Sequence, residues 1–371
     1  MTVRNNPPAV LQVCGTPFGL APAHVCGPSA GPLVHSAPPA PPTSLNRVPK
    51  VMQRSRCVLV VMLLVATAHA ENTPFSREGS IVFTDSLTKR LLRLDGADSM
   101  PRVIAHDLAT YGGLLPWKCM MLAAGKRHEV MEIDPWCEGS ACGSSTRRLV
   151  DVPKALGVGK VVDGFALGGM ALCGDGALFV AYGGGNATVG HSGVLRCEGC
   201  EPKTDCTSKC AVVDGGESPG AGMHQLGGYA AGVECVGDSV LVADNTNLRV
   251  QAIPAACPRS PCNISTFASQ LNYPLGISRV GTDTILVTLD SSIISLALDG
   301  QVRRWSAQGD CGYLVQAGKR VFVANGNIIS FDSSCRGPDC APSLVWNATG
   351  GIKVYGGVAY ITAPAVNSAW T

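Results

Sequence analysis

Three cysteine pairs in this 371-residue chain share one spacing, C-x4-C: Cys137 and Cys142, Cys257 and Cys262, Cys335 and Cys340. Two thiols so spaced across a turn can close a local disulfide if their Cα atoms come within about 7 Å. Cys197, Cys200, Cys206 and Cys210 follow a different pattern, C-x2-C-x5-C-x3-C, which suits either disulfides or a four-thiolate zinc knot. The insert holds no histidine, and the chain carries the export leader described below, so disulfides are the expectation. Beyond Ala70, Cys119, Cys173, Cys235 and Cys311 remain, and four cysteines allow three pairings.

Other reactive patterns are weaker. Gly216-Glu217-Ser218-Pro219-Gly220 matches G-x-S-x-G, but a nucleophile elbow needs a strand before the serine and a helix after it. Here the motif lies in a glycine-rich stretch with proline directly after the serine, which reads as a loop. His106, His128, His191 and His224 form no H-x-H or H-x3-H pair, so no local zinc ligand set is expected. Gly183–Gly185 and Gly227-Gly228 lack the following Gly-Lys-Ser/Thr of a phosphate loop and read as turns. Asn186, Asn263 and Asn347 each head an N-x-S/T sequon and are glycan acceptors if the chain is exported.

The elements that would position these residues are short hairpins. In Val240–Ile253 an apolar, β-branched run (Val240–Ala243) suits a buried inner strand. Asp244-Asn245-Thr246-Asn247 then turns the chain, and Leu248–Ile253 alternates apolar and polar residues as a strand does. The unit recurs, with runs opening at Ile81, Met120, Leu178, Val240, Ile285, Val321 and Ala359, at intervals of 39, 58, 62, 45, 36 and 38 residues. A four-strand unit of about 40 residues is the period of a β-propeller. The two long intervals hold Val152–Gly168 and Val212–Gly228, expected as surface loops. Each C-x4-C pair falls just after the second strand of a hairpin. The fold class is therefore all-β, a propeller of four-stranded blades. The first run lacks a strand before it and the last lacks strands after it, so closure by both termini gives six blades, with seven as the alternative.

Asp244, Asn247 and Arg249-Val250 stand in the order seen in NHL repeats, and the chain resembles that propeller family over about 290 residues. The likeness is close at Val240–Ile253 and Pro274–Leu298 and loose elsewhere. Among such propellers, the lyase of peptide amidation is similar only in fold, and its catalytic residues have no matching positions here. Gluconolactonase-like members hold a divalent cation in the central channel. That resemblance makes Glu78 and Asp290 weak metal candidates, although the family's Pro-Asn-Gly stretch is absent. Turn preference favours a capping role for Asp244 and Asp290.

The ends have a different composition. Residues 1–51 are rich in proline and alanine, show no periodicity and cannot bury a core. Met52–Ala70 has a basic start (Arg54, Arg56), an apolar stretch (Cys57–Ala66) and a small-x-small end (Ala68-His69-Ala70), the three parts of a secretory signal peptide. The mature chain is expected to begin at Glu71 and residues 1–51 to be absent from it; a genuine extension before a signal anchor is the other reading. No membrane span is expected in the mature chain, nor, without a hydrophobic tail, a lipid anchor. A net charge of +2 with no basic cluster gives no electrostatic case for nucleic acid. The expectation is a secreted, glycosylated, disulfide-stabilised binding module for a protein or glycan ligand on a loop face, with no cofactor. The alternative is a lactonase- or lyase-type enzyme with a divalent cation in its channel.

Overall fold

The computed structural model describes residues 79–362, except 97–98, 111, 138–145, 159–163, 185–191, 217–221, 223–224, 307–311, 336–339 and 350–351. Strands β1 (Gly79–Asp85), β2 (Arg90–Leu94) and β3 (Arg102–Ala105) belong to blade I. Blade II is β4 (Leu114–Trp117), β5 (Met120–Ala124), β6 (Glu129–Ile133) and β7 (Arg147–Asp151). Blade III is β8 (Phe165–Leu172), β9 (Leu178–Gly184), β10 (Ser192–Cys197) and β11 (Cys210–Gly216). Blade IV is β12 (Ala230–Val236), β13 (Ser239–Asp244), β14 (Arg249–Pro254) and β15 (Ser265–Ala268). Blade V is β16 (Ile277–Val280), β17 (Thr284–Thr288), β18 (Ile293–Ala297) and β19 (Val302–Ser306). Blade VI is β20 (Leu314–Ala317), β21 (Arg320–Asn325), β22 (Asn327–Asp332) and β23 (Ser343–Trp346), and β24 (Val358–Thr362) follows.

Every sheet is an antiparallel meander of four strands, and the sheets number six. β24 pairs with β1 (Ile81 opposite Tyr360, Phe83 opposite Val358) and so completes blade I as its innermost strand. The six innermost strands, β24, β4, β8, β12, β16 and β20, touch one another in ring order. The molecule is a six-bladed β-propeller whose ring is closed by the pairing of β1, the first described strand, with β24, the last. The sheet edge that an open ring would expose is thereby paired.

The apolar runs are continuous because each blade is buried on both faces. In β13, Val240 and Val242 pack toward blade III beside Phe179 and Val194, while Leu241 and Ala243 pack toward blade V beside Ile285 and Val287. Apolar clusters of this kind fill all six interfaces between neighbouring blades. Burying such side chains contributes roughly 25 cal/mol per Å² of apolar surface.

Val240–Ala243 lies in β13, a buried inner strand, second from the channel after β12, which contains Gly232–Cys235. Two readings change. Val152–Gly168 is not all loop. Asp151 caps a short helix α1 (Val152–Ala155), accepting the Lys154 N–H at 3.1 Å, and β8 already starts at Phe165. Likewise β11 occupies the start of Val212–Gly228. Of the glycines read as turns, Gly183 and Gly184 sit in β9, where a Cβ at Gly183 would stand 2.9 Å from the Tyr229 Cα, while Gly227 and Gly228 lie outside the strands. Among the described residues no helix is long and apolar enough to cross a membrane.

Candidate functional site

The inner strands meet through glycine. A Cβ added at Gly113 would lie 2.8 Å from the Gly169 Cα, and one at Gly168 2.2 Å from the Ala231 carbonyl oxygen. At Gly232 it would lie 2.3 Å from the Leu275 oxygen, and at Gly276 2.9 Å from the Tyr313 Cα. At Gly312 and Gly357 the nearest atoms would be the Tyr355 oxygen at 2.3 Å and the Leu114 side chain at 2.6 Å. Gly113 N–H donates to Gly168 O at 2.9 Å, and Gly357 N–H to Gly112 O at 3.0 Å. The buried Thr288 hydroxyl donates to Gly312 O at 2.6 Å and accepts the Gly276 N–H at 2.7 Å. Backbone on backbone thus forms a throat around the channel.

Beyond the throat β12 carries Glu234. Burial pushes its carboxyl up to about 7, against the opposing pull of the Arg279 N–H and guanidinium. The folded state then binds more protons than the unfolded chain between pH 4.5 and about 7. This group's contribution is fully present below the lower value and lost as pH rises through the upper one. Glu234→Gln is expected to flatten that slope and to raise stability at pH 8 by up to about 3 kcal/mol. Urea midpoints of both proteins at pH 5 and pH 8 check this; equal slopes would remove Glu234 as the source.

In an antiparallel meander the first-to-second and third-to-fourth connections leave one face of the ring. All five described disulfides lie in or beside these connections. Cys257–Cys262 and Cys335–Cys340 close third-to-fourth loops with Cα separations of 6.0 and 5.8 Å. In the insert of blade III, Cys197 pairs with Cys210 and Cys200 with Cys206. Cys173–Cys235 joins blade III to blade IV. Cys119 and Cys137 are disulfide-bonded too, whereas Cys142 and Cys311 lie outside the described residues. The blade III insert also covers the free edge of β7: Cys206 N–H donates to Leu149 O at 2.7 Å, and Asp151 N–H to the Thr207 hydroxyl at 2.9 Å. Replacing Cys257 and Cys262 together by alanine should cost about 2 kcal/mol or less, since the closed loop is small. A melting curve checks it, and global unfolding at room temperature would contradict it.

Asp244 is structural. Fully buried, it accepts the Gly227 N–H at 2.8 Å, the Asn247 amide at 2.9 Å and Arg249 Nε at 2.8 Å. Asp85 repeats the arrangement with Arg90 in blade I. Burial raises its carboxyl, but hydrogen bonds from Thr88, Lys353, Arg90 and Leu87 outweigh that and hold it low. Asp290 is exposed in a turn, its N–H donating to Asn272 O at 3.2 Å, and Glu78 lies outside the described residues. His106 is exposed; His128 sits at φ +64° with its ring edge-on to Phe165 at 5.1 Å, and burial lowers its pKa. His191, His224 and Glu217–Gly220 lie outside the described residues. Among the described residues no three His, Cys, Asp or Glu are grouped to hold a metal ion. Asn263 and Asn347 are exposed, and Asn186 lies outside the described residues.

Sequence reasoning missed the throat, Glu234, the Cys173–Cys235 link and a charged cavity at blade II. A glycine in each inner strand, or just before it, was the available signal for the first.

No family model matches the chain, and no curated protein matches it. Solved structures do. A protein of unknown function from Bacteroides caccae is 12% identical with a TM-score of 0.50, over 76% of this chain and 99% of that one. A gluconolactonase from Xanthomonas campestris is 13% identical with a TM-score of 0.45, over 68% and 84% of the two chains. A chain of a nidogen/laminin complex is 11% identical with a TM-score of 0.35, over 76% and 98%. At these identities the likeness is one of fold.

Proposed function

We propose that the chain is an exported, glycosylated binding module whose disulfide-pinned loop face takes a protein or glycan ligand. The observation that carries this reading is the concentration of all five described disulfides on one face. A loop pinned before its ligand arrives loses less conformational entropy on binding, so such staples favour affinity as well as stability. Loops held on a rigid scaffold are where propellers carry function. Disulfides in this number point to an oxidising compartment, in keeping with the leader at Met52–Ala70 and a mature domain from Glu71. Exposed sequons at Asn263 and Asn347 fit the same route.

Expression of the full chain, from Met1, in a secreting eukaryotic host tests the reading. The secreted protein should begin at Glu71, lose mass on enzymatic deglycosylation, and bind saturably to members of a glycan or extracellular-protein array. Retention inside the cell, or peptides from Val3–Lys50 in the secreted material, would overturn the export part.

One observation favours an enzyme as the second reading: Glu234, a carboxyl poised near neutrality on an innermost strand, as a general acid or base must be. Lactone hydrolysis that needs a divalent cation and disappears in Glu234→Gln would establish it.

A further inference from the structure

A cavity of about 390 Å³ lies at the outer part of blade II, lined by Arg127, Glu129, Arg148, Asp151 and Asp205. That is the lower end of the roughly 300–1,000 Å³ range of small-molecule sites. Arg127 and Glu129 flank the turn into β6, Arg148 and Asp151 lie on β7, and Asp205 comes from the blade III insert next to the Cys200–Cys206 staple. The insert is fixed against β7 by the Cys206 and Thr207 hydrogen bonds, so the third wall is held in place before any ligand arrives.

The charges in the cavity are unevenly engaged. Arg148 is committed, its Nη1 to Asp151 at 2.9 Å and its Nη2 to Asp205 at 3.3 Å. Glu129 Oε2 is shut off from solvent and accepts no hydrogen bond. Arg127 is exposed and makes no ion pair among the described residues, although its field is felt at Glu129. The two are two residues apart in the chain, Arg127 in the turn and Glu129 at the first position of β6, and both line the cavity. A desolvated carboxylate oxygen needs a donor, best a cationic one, and an unengaged guanidinium fork matches a carboxylate.

We propose that this cavity binds a small zwitterion of the α-amino acid type, its ammonium on Glu129 and its carboxylate on Arg127. A bare metal ion is disfavoured because the Arg148 guanidinium stands among the carboxylates. A sugar is disfavoured because, among the described residues, the lining side chains are all charged and include no aromatic platform. Desolvation already raises the Glu129 carboxyl, as befits an acid that lacks its cation. This inference concerns a site distinct from the macromolecular ligand of the loop face and stands or falls without it.

Titration calorimetry of the whole secreted protein with L-alanine, ethylamine, propionate and glucose tests the proposal. L-Alanine should bind saturably at one site, ethylamine and propionate about tenfold more weakly or worse, and glucose not at all. Glu129→Gln and Arg127→Ala should each weaken L-alanine by about tenfold or more with melting temperatures little changed. If Glu129→Gln fails to fold, Arg127→Ala decides, because Arg127 is exposed. Absence of L-alanine binding at millimolar concentration, ethylamine binding as tightly as L-alanine, or binding unchanged in Arg127→Ala would each overturn it.

Discussion

Replacing Asp244 by alanine is expected to cost about 3–5 kcal/mol of stability, the effect of breaking a buried, hydrogen-bonded ion pair from one side. Asp244 is wholly inaccessible, and the Arg249 side chain is only 11% exposed. The carboxylate collects three donors: the Gly227 N–H, the Asn247 amide and Arg249 Nε. Arg249 in turn donates to Gly222 O at 2.9 Å and Gln225 O at 2.7 Å, so the pair ties the chain entering blade IV to the β13–β14 turn. Removing the carboxylate leaves a largely buried guanidinium charge without its counter-ion. The same substitution at Asp85 should cost less, since its partner Arg90 is 30% exposed and water can share the charge. Urea unfolding checks both. A loss below about 1 kcal/mol at Asp244 would show that Arg249 finds another counter-charge. A double variant, Asp244→Leu with Arg249→Met, should recover part of the loss, because it removes both charges.

A single methyl at Gly232 is expected to cost about 3 kcal/mol or more, at the severe end of overpacking. The added Cβ would stand 2.3 Å from Leu275 O and 2.8 Å from Ile277 N. Both are backbone atoms of the neighbouring blade, so no side chain can swing away and blades IV and V must part. Because the ring is closed, that displacement is passed to the other interfaces. Gly237→Ala serves as the contrast. Nothing lies within 4 Å there, and its φ of +57° implies a strain cost of only about 1 kcal/mol. Melting temperatures of the two variants separate the mechanisms. Equal losses would mean that the throat is not packed as described.

Blade number and closure were legible because the hairpin repeat survives in the apolar runs. Ala359–Thr362 ends as a run without partners, and Ile81–Asp85 begins as one; each supplies what the other lacks. What stayed hidden has a physical reason. The innermost strand β8 is read poorly because it carries glycine where others carry valine, and Gly168-Gly169 looks like a turn until a neighbouring backbone is placed against it, whereas Gly232–Cys235 is legible as a strand entering its blade. Cys173 and Cys235 are 62 residues apart, and only the packing of blade III on blade IV brings them together. The C-x4-C pairs at 257 and 335 are local, and spacing alone suffices for those. Glu129 and Asp205 line one cavity from two blades through an insert whose course along β7 leaves no periodic trace. Asp244 was readable as a turn residue, but its burial and its reach to Gly227 were not.

The claim that the disulfide-pinned face binds the ligand is tested most directly by placing a glycan on each face in turn. Gly237→Asn creates a sequon, Asn-Asp-Ser, in the β12–β13 turn on the pinned face, and asparagine tolerates the left-handed backbone there. Asp107→Asn with Ala109→Ser creates one on the opposite face, again at a position of positive φ. The measurement is equilibrium binding of the two glycosylated, secreted variants to those array members that the parent protein binds. The account predicts that a glycan at residue 237 abolishes binding and that one at residue 107 leaves it unchanged. Unchanged binding with the glycan at 237 and loss with it at 107 would contradict it.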